Sequence, residues 1–260
     1  MRATELPAGF VTFAVAGSRV VCAGDIADAI RRAMTGATLY EYAERHPYAR
    51  ALAGRGVAYA VPLPGDVERV VIRHNRHGGL FAPLTRDVFL APTRAPLELH
   101  VSEALRARGV ATPHVLGYVT YRATAGFQRA DVMTREVPNS ADLSTALLSD
   151  DASIRESALV ATASVVRALS QAAARHHDLN VKNILLRGVD APAPEAMVLD
   201  VDRVTFAGSS DDVLEANLAR LLRSATKWQT LHGARVTNGE LHELAASVRE
   251  SRPVPLTTSS

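Results

Sequence analysis

The sequence has little cysteine: Cys22 is the single one among 260 residues. One cysteine excludes an internal disulfide and a cysteine-rich metal site, and it is typical of a protein in a reducing compartment. Long apolar runs are also missing, since none approaches the length needed to span a bilayer. Residues 1–7 carry Arg2 and Glu5 and lack the apolar core of a signal peptide. We therefore expect a soluble cytoplasmic protein, with a composition that is compatible with contact at a membrane surface.

A strong net charge is absent as well. Lys and Arg number 29 against 27 Asp and Glu, which gives a formal net charge of +2. This mild basicity is spread along the chain and does not require nucleic acid as a partner, so we expect none. Hydrophobic residues make up 47% of the chain, which indicates a globular protein. The length suits one two-lobed domain or two small ones with a sizeable core.

The most informative segment is 175–186, which reads Arg-His-His-Asp-Leu-Asn-Val-Lys-Asn-Ile-Leu-Leu. Asp178 follows His176 by two residues, Asn183 follows Asp178 by five, and a second apolar segment ends at Asp200. This order is typical of a kinase catalytic loop followed by a metal-binding Asp. Asp178 can orient a hydroxyl and accept its proton, while Asn183 and Asp200 offer the oxygen ligands that Mg²⁺ prefers. Asp-x-Asn alone is common in turns, but a chance match of the whole ordered set is much less frequent. The ordered set therefore predicts phosphoryl transfer.

Two neighbours of this motif have less direct roles. We expect His176 to brace the catalytic loop rather than to transfer protons. Asp202 can tune Asp200 or the loop, or it can pair with Arg203, and we favour the structural role.

The spacing of apolar residues predicts the elements that carry these motifs. Strands are predicted on both sides of a turn at 16–18 within 10–22, and over 57–62, 67–72, 115–121 and 130–137. Helices are predicted over 25–50, 96–108, 154–174, 211–224 and 238–250. The helix over 211–224 is expected to bury Leu214, Leu218, Leu221 and Leu222. The tail 253–260 is predicted to be disordered.

Candidate phosphate contacts lie in the first half of the chain. Gly54, Arg55 and Gly56 form a turn between strands, where glycine lets backbone N–H groups approach phosphates, although a plain hairpin turn fits as well. Arg73 ends a strand, where a kinase fold places its phosphate-contacting lysine. Glu98, near a helix start, is a candidate to pair with Arg73, or it can simply suit the helix dipole. Glu103 is the competing candidate, and we expect it to be a surface charge.

The segment 73–79 is rich in basic and imidazole groups. His74, Arg76 and His77 are candidates to contact an acidic sugar or lipid phosphates, because arginine supplies forked donors for such anions. A solvated basic turn is the alternative.

Residues 134–138 read Thr-Arg-Glu-Val-Pro and close the last predicted strand. In a two-lobed kinase this segment would be the hinge whose backbone reads adenine, which makes Thr134 and Glu136 candidate ATP contacts. Turn-forming residues at 138–140 indicate the boundary. We predict an N-terminal nucleotide-binding lobe over 1–137 and a C-terminal catalytic lobe over 138–260.

Several blocks in order resemble the lipopolysaccharide core kinases, most closely the 3-deoxy-D-manno-octulosonic acid (Kdo) kinases. The blocks are 54–56, 72–80, 98–113, 130–143, 176–186 and 199–203. The fifth is close to that family's His-Ala-Asp-Leu-Asn-x-x-Asn-Ile-Leu, and the second is similar to its Arg-His-Tyr-x-Arg-Gly-Gly-Leu. Asn75, His177 and Val201 depart from the family pattern without removing a presumed catalytic group.

The resemblance implies an α+β, two-lobed protein-kinase-like fold, with a mostly β N-lobe that holds one key helix and a reduced, mostly α C-lobe. It implies ATP and Mg²⁺ as cofactors and phosphorylation of a Kdo hydroxyl on a lipid A precursor, with peripheral work at the cytoplasmic face of the inner membrane. The alternatives are another sugar, small-molecule or protein kinase of the same fold, a nucleotide-binding pseudokinase scaffold, and a membrane-surface or nucleic-acid binding module.

Overall fold

The computed structural model describes residues 5–52, 57–65, 68–74, 89–90, 93–122 and 127–250, with the backbone alone at 89–90. The chain divides into two units: the first comprises Met1–Ala104 and Pro113–Glu136, and the second comprises Leu105–Thr112 and Val137–Ser260. The predicted boundary after residue 137 lies next to this division. The prediction placed residues 105–112 in the first lobe, whereas the structure assigns them to the second unit. The tail 253–260, predicted to be disordered, lies outside the described residues.

The first unit is built on an antiparallel sheet. Its strands are β1 (Phe10–Val15), β2 (Ser18–Ala23), β3 (Arg50–Leu52), β4 (Ala58–Pro62), β5 (Arg69–His74), β6 (Phe89–Leu90), β7 (Val115–Arg122) and β8 (Phe127–Arg135). Among the described residues the order along the sheet is β1-β2-β7-β8-β5-β4-β3, and β6 pairs with β8. Strand β5 therefore lies between β4 and β8, with Arg73 opposite Val132 of β8.

Apolar side chains bury both faces of this sheet, because successive residues of a strand point to opposite faces. The helices are α1 (Ala27–Ala33), α2 (Leu39–Arg45) and α3 (Ala95–Ala107). One face, with Val20 and Ile72, packs against α1 and α2. The other face, with Val21 and Val132, packs against Leu99 of α3. Arg73 follows Ile72 and so belongs to the face that α3 covers.

The prediction of one helix over 25–50 is wrong, since α1 and α2 are separate and β3 follows them. Gly36 adopts φ +79°, in the left-handed region that favours glycine. Thr38 then begins α2 with a capping box: its side chain accepts from the Glu41 N–H, and the Glu41 carboxylate accepts from the Thr38 N–H. The Thr-x-x-Glu spacing at 38–41 is the signal that marks this second start.

The second unit is mostly helical. Its helices are α4 (Leu143–Leu147), α5 (Ala152–Gln171), α6 (Ser210–His232) and α7 (Asn238–Glu250). Its strands are β9 (Ser140–Asp142), β10 (Ala174–His176), β11 (Ile184–Arg187), β12 (Glu195–Val198) and β13 (Val204–Phe206). Strand β10 pairs with β13, and β12, β11 and β9 form a second small sheet. No helix in the described part of the chain is long and apolar enough to cross a membrane.

Helix α6 is longer than the predicted 211–224 and ends where Gly233 takes φ +69°. The predicted inward face is partly wrong. Leu218 and Leu221 are buried, but Leu214 and Leu222 are only partly buried. The buried set is Val213, Asn217, Leu218, Leu221 and Ala225. The buried stripe therefore includes Val213, Asn217 and Ala225, which were not predicted, and one of these is a polar asparagine.

Candidate active site

Four hydrogen bonds form a closed ring around the predicted catalytic loop. The Asp178 N–H donates to Nδ1 of His176 at 3.1 Å, and Nε2 of His176 lies 2.9 Å from the Leu199 carbonyl oxygen. The Leu199 N–H donates to the Asn183 carbonyl at 2.9 Å, and Nδ2 of Asn183 donates to the Asp178 carbonyl at 2.8 Å. The ring thus brings together Asp178, Asn183 and the residue that precedes Asp200.

The ring fixes the protonation state of His176. Its Nδ1 accepts from a backbone N–H, so Nε2 must carry the proton that is donated to Leu199. The side chain is fully buried, and burial lowers the pKa of His176 below its ordinary value. A neutral imidazole therefore joins two backbone segments, which agrees with the predicted bracing role.

Asn183 is one of the two predicted magnesium ligands. Its Nδ2 is committed to the Asp178 carbonyl, and none of the described residues donates to its Oδ1. The described residues contain no cluster of three or more His, Cys, Asp or Glu that could hold a metal ion. Magnesium needs no such cage, because it is commonly held by one or two protein oxygen ligands together with waters and substrate phosphates. The side-chain oxygens of Asn183 and Asp200 are of the kind that this donor set requires, and metal binding by them stays a prediction.

Asp200 adopts φ 52° and ψ 45°, in the left-handed region. This conformation is uncommon for a residue other than glycine and costs of order 1–3 kcal/mol, so it persists where the surroundings hold it in place. The Arg203 N–H donates to the Asp200 carbonyl at 3.0 Å. Asp202 Oδ2 lies 3.8 Å from Arg203 Nε, a loose ion pair that is compatible with the favoured structural role.

Asn217 of α6 is a supporting residue that the sequence interpretation missed. It is fully buried, its Oδ1 accepts from the His176 N–H at 2.9 Å, and its Nδ2 donates to the Ala174 carbonyl at 3.0 Å. Both ends of the amide thus hold β10, which leads into the catalytic loop. One signal was available: a lone asparagine among the buried apolar positions of α6.

In the first unit, the predicted ion pair between Arg73 and Glu98 is present. The side chain of Glu98 is only 5% exposed, whereas that of Arg73 is 31% exposed. The carboxylate therefore fixes a guanidinium that still reaches solvent. The proposed contact of this arginine with phosphate stays a prediction.

Glu136 makes two ion pairs, with Arg50 and Arg69, each at 2.7 Å. Burial opposes its ionisation, but the hydrogen bonds from these two arginines outweigh burial and hold the pKa of Glu136 below its ordinary value. Its backbone N–H donates to the Arg69 carbonyl. Thr134 lies on β8 opposite Val71. ATP contact by Thr134 and Glu136 stays a prediction.

His74 belongs to a network within the first unit. Its Nδ1 lies 2.6 Å from Oδ1 of the buried Asp131, and its ring stacks on Tyr40 with centroids 3.6 Å apart. Asp131 also accepts from the Tyr40 N–H and the Tyr121 hydroxyl. These contacts hold the start of α2 against the sheet, so His74 has a structural role, and its contact with an acidic sugar or lipid phosphate stays a prediction. The other candidates, Arg76, His77, Gly54, Arg55 and Gly56, lie outside the described residues.

A mostly β unit with an Arg–Glu pair and a mostly α unit with a His-x-Asp, Asn and Asp motif define a protein-kinase-like phosphotransferase. The chain belongs to the lipopolysaccharide kinase (Kdo/WaaP) family, whose model matches residues 44–245. The predicted fold class and family resemblance are thereby confirmed.

The chain is similar to curated relatives over most of its length. It is 32% identical to the 3-deoxy-D-manno-octulosonic acid kinase of Actinobacillus succinogenes over 199 residues, which cover 74% of this chain and 80% of the relative. It is 27% identical to the enzyme of the same name from Vibrio vulnificus (strain CMCP6) over 195 residues, 74% and 78% of the two chains. The solved structure of WaaP in complex with acyl carrier protein matches with a TM-score of 0.52 and 16% identity over 86% of this chain and 87% of that one. The structural match supports the shared fold.

Proposed function

We propose that this protein transfers the γ-phosphoryl group of ATP to a hydroxyl of Kdo on a lipid A precursor. The observation that carries the proposal is the closed hydrogen-bond ring, which ties Asp178, Asn183 and the strand leading to Asp200 together in kinase order. Relatives named as Kdo kinases over most of their length support the choice of acceptor.

The proposed chemistry uses Asp178 as the base. Its carboxylate accepts the proton of the acceptor hydroxyl while the hydroxyl oxygen forms a bond to the γ-phosphorus. The bond from that phosphorus to the β–γ bridging oxygen breaks, and ADP leaves with the electron pair. The rest of the rate enhancement comes from positioning, because phosphoryl transfer needs little covalent help from the protein.

Asn183 and Asp200 would hold Mg²⁺, which neutralises charge on the ATP phosphates when it is bound. Arg73, oriented by Glu98, is proposed to contact the α- and β-phosphates. Because the proposed acceptor is anchored in lipid, we further propose that the protein works peripherally at the cytoplasmic face of the inner membrane.

An acceptor panel tests the proposal. The protein is incubated with ATP and Mg²⁺ and, separately, with Kdo-bearing lipid A precursor, free Kdo, heptose-bearing core oligosaccharide and peptides, and products are analysed by mass spectrometry. A phosphate mass gain on Kdo is the expected result. Transfer to heptose or peptide alone would assign a different kinase activity, and nucleotide binding without transfer to any acceptor would indicate a scaffold.

A further inference from the structure

One stripe of helix α6 follows the catalytic loop along its length. Asn217 holds β10, and Ser224 Oγ accepts from the Val181 N–H at 3.2 Å. One turn further on, the Trp228 ring lies beneath the ammonium of Lys182, which is 4.9 Å from the ring centroid. Intervals of seven and four residues place these three α6 side chains on one face of the helix. The first two hold the loop through backbone groups, but Trp228 meets a side chain.

The ammonium of Lys182 is held in a defined place. Lys182 directly precedes Asn183, and its Nζ lies 3.0 Å from Oδ2 of Asp142. The other carboxylate oxygen of Asp142 caps α4 through the Thr145 N–H, so this anchor is itself fixed. The Lys182 side chain is nevertheless 54% exposed. An ammonium has three donors, so it can meet Asp142 and the ring face and still donate to a ligand.

The indole ring of Trp228 lies beside this charge. It is partly exposed, and the ring of His232 lies 4.4 Å away at a tilt of 34°. Trp228 is not among the buried residues of α6. The apolar C–H face of a sugar ring packs well on an indole, while the polar groups at the ring edge stay available for hydrogen bonds.

The charge around this surface favours an anion. Residues 220–232 of α6 contain three basic side chains and no acidic one, which raises the local concentration of anionic ligands. Cations near a helix C-terminus are also favoured by the helix dipole whatever the function, so this charge alone is not specific. Lys182 lies off the helix, and its ammonium is held beside the ring by Asp142.

We propose that Lys182 and Trp228, with His232 at the edge, form the acceptor-binding subsite. Lys182 donates to the carboxylate of the acidic sugar, and Trp228 packs against the sugar ring. The inference rests on the proposed function for the identity of the sugar. It assigns to both residues a role in acceptor binding and specificity, while the proton transfer stays with Asp178.

Steady-state kinetics of variants that each remove one lysine charge test the subsite. Lys182→Gln is expected to raise the KM for the Kdo-bearing acceptor about 10- to 100-fold, the range for losing a charge-assisted hydrogen bond, with the KM for ATP changed less than about twofold. Lys182→Arg restores a cation and should recover part of the loss. Lys227→Gln is the matched control, since it removes the other lysine of the chain, next to Trp228, and with it one positive charge of α6 but not the donor that Asp142 holds in place. It should raise the acceptor KM much less than Lys182→Gln does.

Binding without turnover gives an independent readout, because Trp228 is the only tryptophan. Titration of the wild-type protein with free Kdo should change its tryptophan fluorescence, and a carboxyl-reduced analogue should bind at least about tenfold more weakly. Lys182→Gln should lose that preference for the carboxylate. Circular dichroism confirms that each variant is folded.

The outcomes separate the inference from the proposed function. Transfer to Kdo by the wild type with an unchanged acceptor KM in Lys182→Gln, or a change equal to that of Lys227→Gln, would overturn the subsite. Absence of transfer to Kdo would overturn the proposed function. In that case a carboxylate-dependent change in Trp228 fluorescence would still support an acidic-sugar subsite, and no change would overturn it.

Discussion

The Nε2–H of His176 donates to the carbonyl oxygen of Leu199 at 2.9 Å, and this bond joins the catalytic loop to the residue before Asp200. The bond belongs to the neutral imidazole whose Nδ1 accepts from the Asp178 N–H. A second proton on the ring would leave that backbone N–H without its acceptor. The geometry of the loop therefore depends on the protonation state of one buried side chain.

This dependence predicts a loss of stability in mild acid. Burial lowers the pKa of His176 below its ordinary value of 6.5 in the folded protein. As the pH falls below about 6.5, the unfolded chain binds a proton at this histidine that the folded chain does not, so the free energy of unfolding falls. Above that pH both states are neutral and the effect is absent. Urea unfolding between about pH 7.5 and 5 measures the slope.

The variant His176→Gln separates this term from other titrations. It should be less stable than the wild type at neutral pH, because a buried and fully bonded ring is lost, but its stability should fall less steeply below pH ~6.5. His242→Gln, at an exposed position on α7, is the matched control and should keep the wild-type slope. Equal slopes for the wild type and His176→Gln would contradict the assignment.

Asn217 supplies a second prediction. Asn217→Ala removes the partners of two buried backbone groups, the His176 N–H and the Ala174 carbonyl. Each unsatisfied group costs about 1–3 kcal/mol, so the free energy of unfolding should fall by about 2–6 kcal/mol. Urea unfolding with two probes measures the loss. Thr226→Ala, at an exposed position of the same helix, should change stability by no more than about 0.5 kcal/mol.

A kinetic readout tells positioning from stability alone. If Asn217 positions the catalytic loop, Asn217→Ala should lower kcat at a temperature where circular dichroism shows the variant to be folded, and Asn217→Asp should recover part of the activity because it keeps the acceptor for the His176 N–H. A folded Asn217→Ala with wild-type kcat would confine this residue to a structural role.

The predictions from sequence succeed where the signal is local. The order of Asp178, Asn183 and Asp200 in the chain is enough to indicate a kinase, and the apolar spacing of 154–174 predicts α5 within a few residues of its ends. Strand alternation also predicts β1 and β2 on the two sides of their turn. In each case the residues that carry the pattern are the residues that form the element.

The predictions fail where the partner is distant in sequence. Asn217 bonds to His176 across 41 residues, and His74 bonds to Asp131 across 57, so neither contact leaves a pattern within one window. The prediction of one helix over 25–50 is wrong for a different reason. The segment is rich in alanine, which favours helix throughout, but a glycine and a capping box within it mark a break and a new start.

The Arg73–Glu98 pair predicts a change in nucleotide affinity. Glu98→Gln keeps the shape but removes the charge that orients Arg73, so the KM for ATP should rise about tenfold with a smaller effect on the KM for the acceptor. A double-mutant cycle with Arg73→Gln is the control. The pair acts as a unit if the double variant is no worse than Arg73→Gln alone, and additive losses would show that the two residues act independently.

Asp178 carries the prediction on which the mechanism depends. Asp178→Asn should lower kcat by about two to four powers of ten, the usual contribution of a general base. It should leave the ATP dissociation constant within about twofold, because in the proposed mechanism the carboxylate acts on the acceptor hydroxyl. Its backbone N–H and carbonyl stay in the ring with His176 and Asn183, so the fold should persist.

Asp190→Asn, at an exposed position in the same unit, is the control for Asp178→Asn and should keep full activity. Product formation by mass spectrometry and nucleotide binding by calorimetry provide the two measurements. Wild-type turnover by a folded Asp178→Asn would remove the base from the mechanism and leave positioning and charge neutralisation to account for the whole rate.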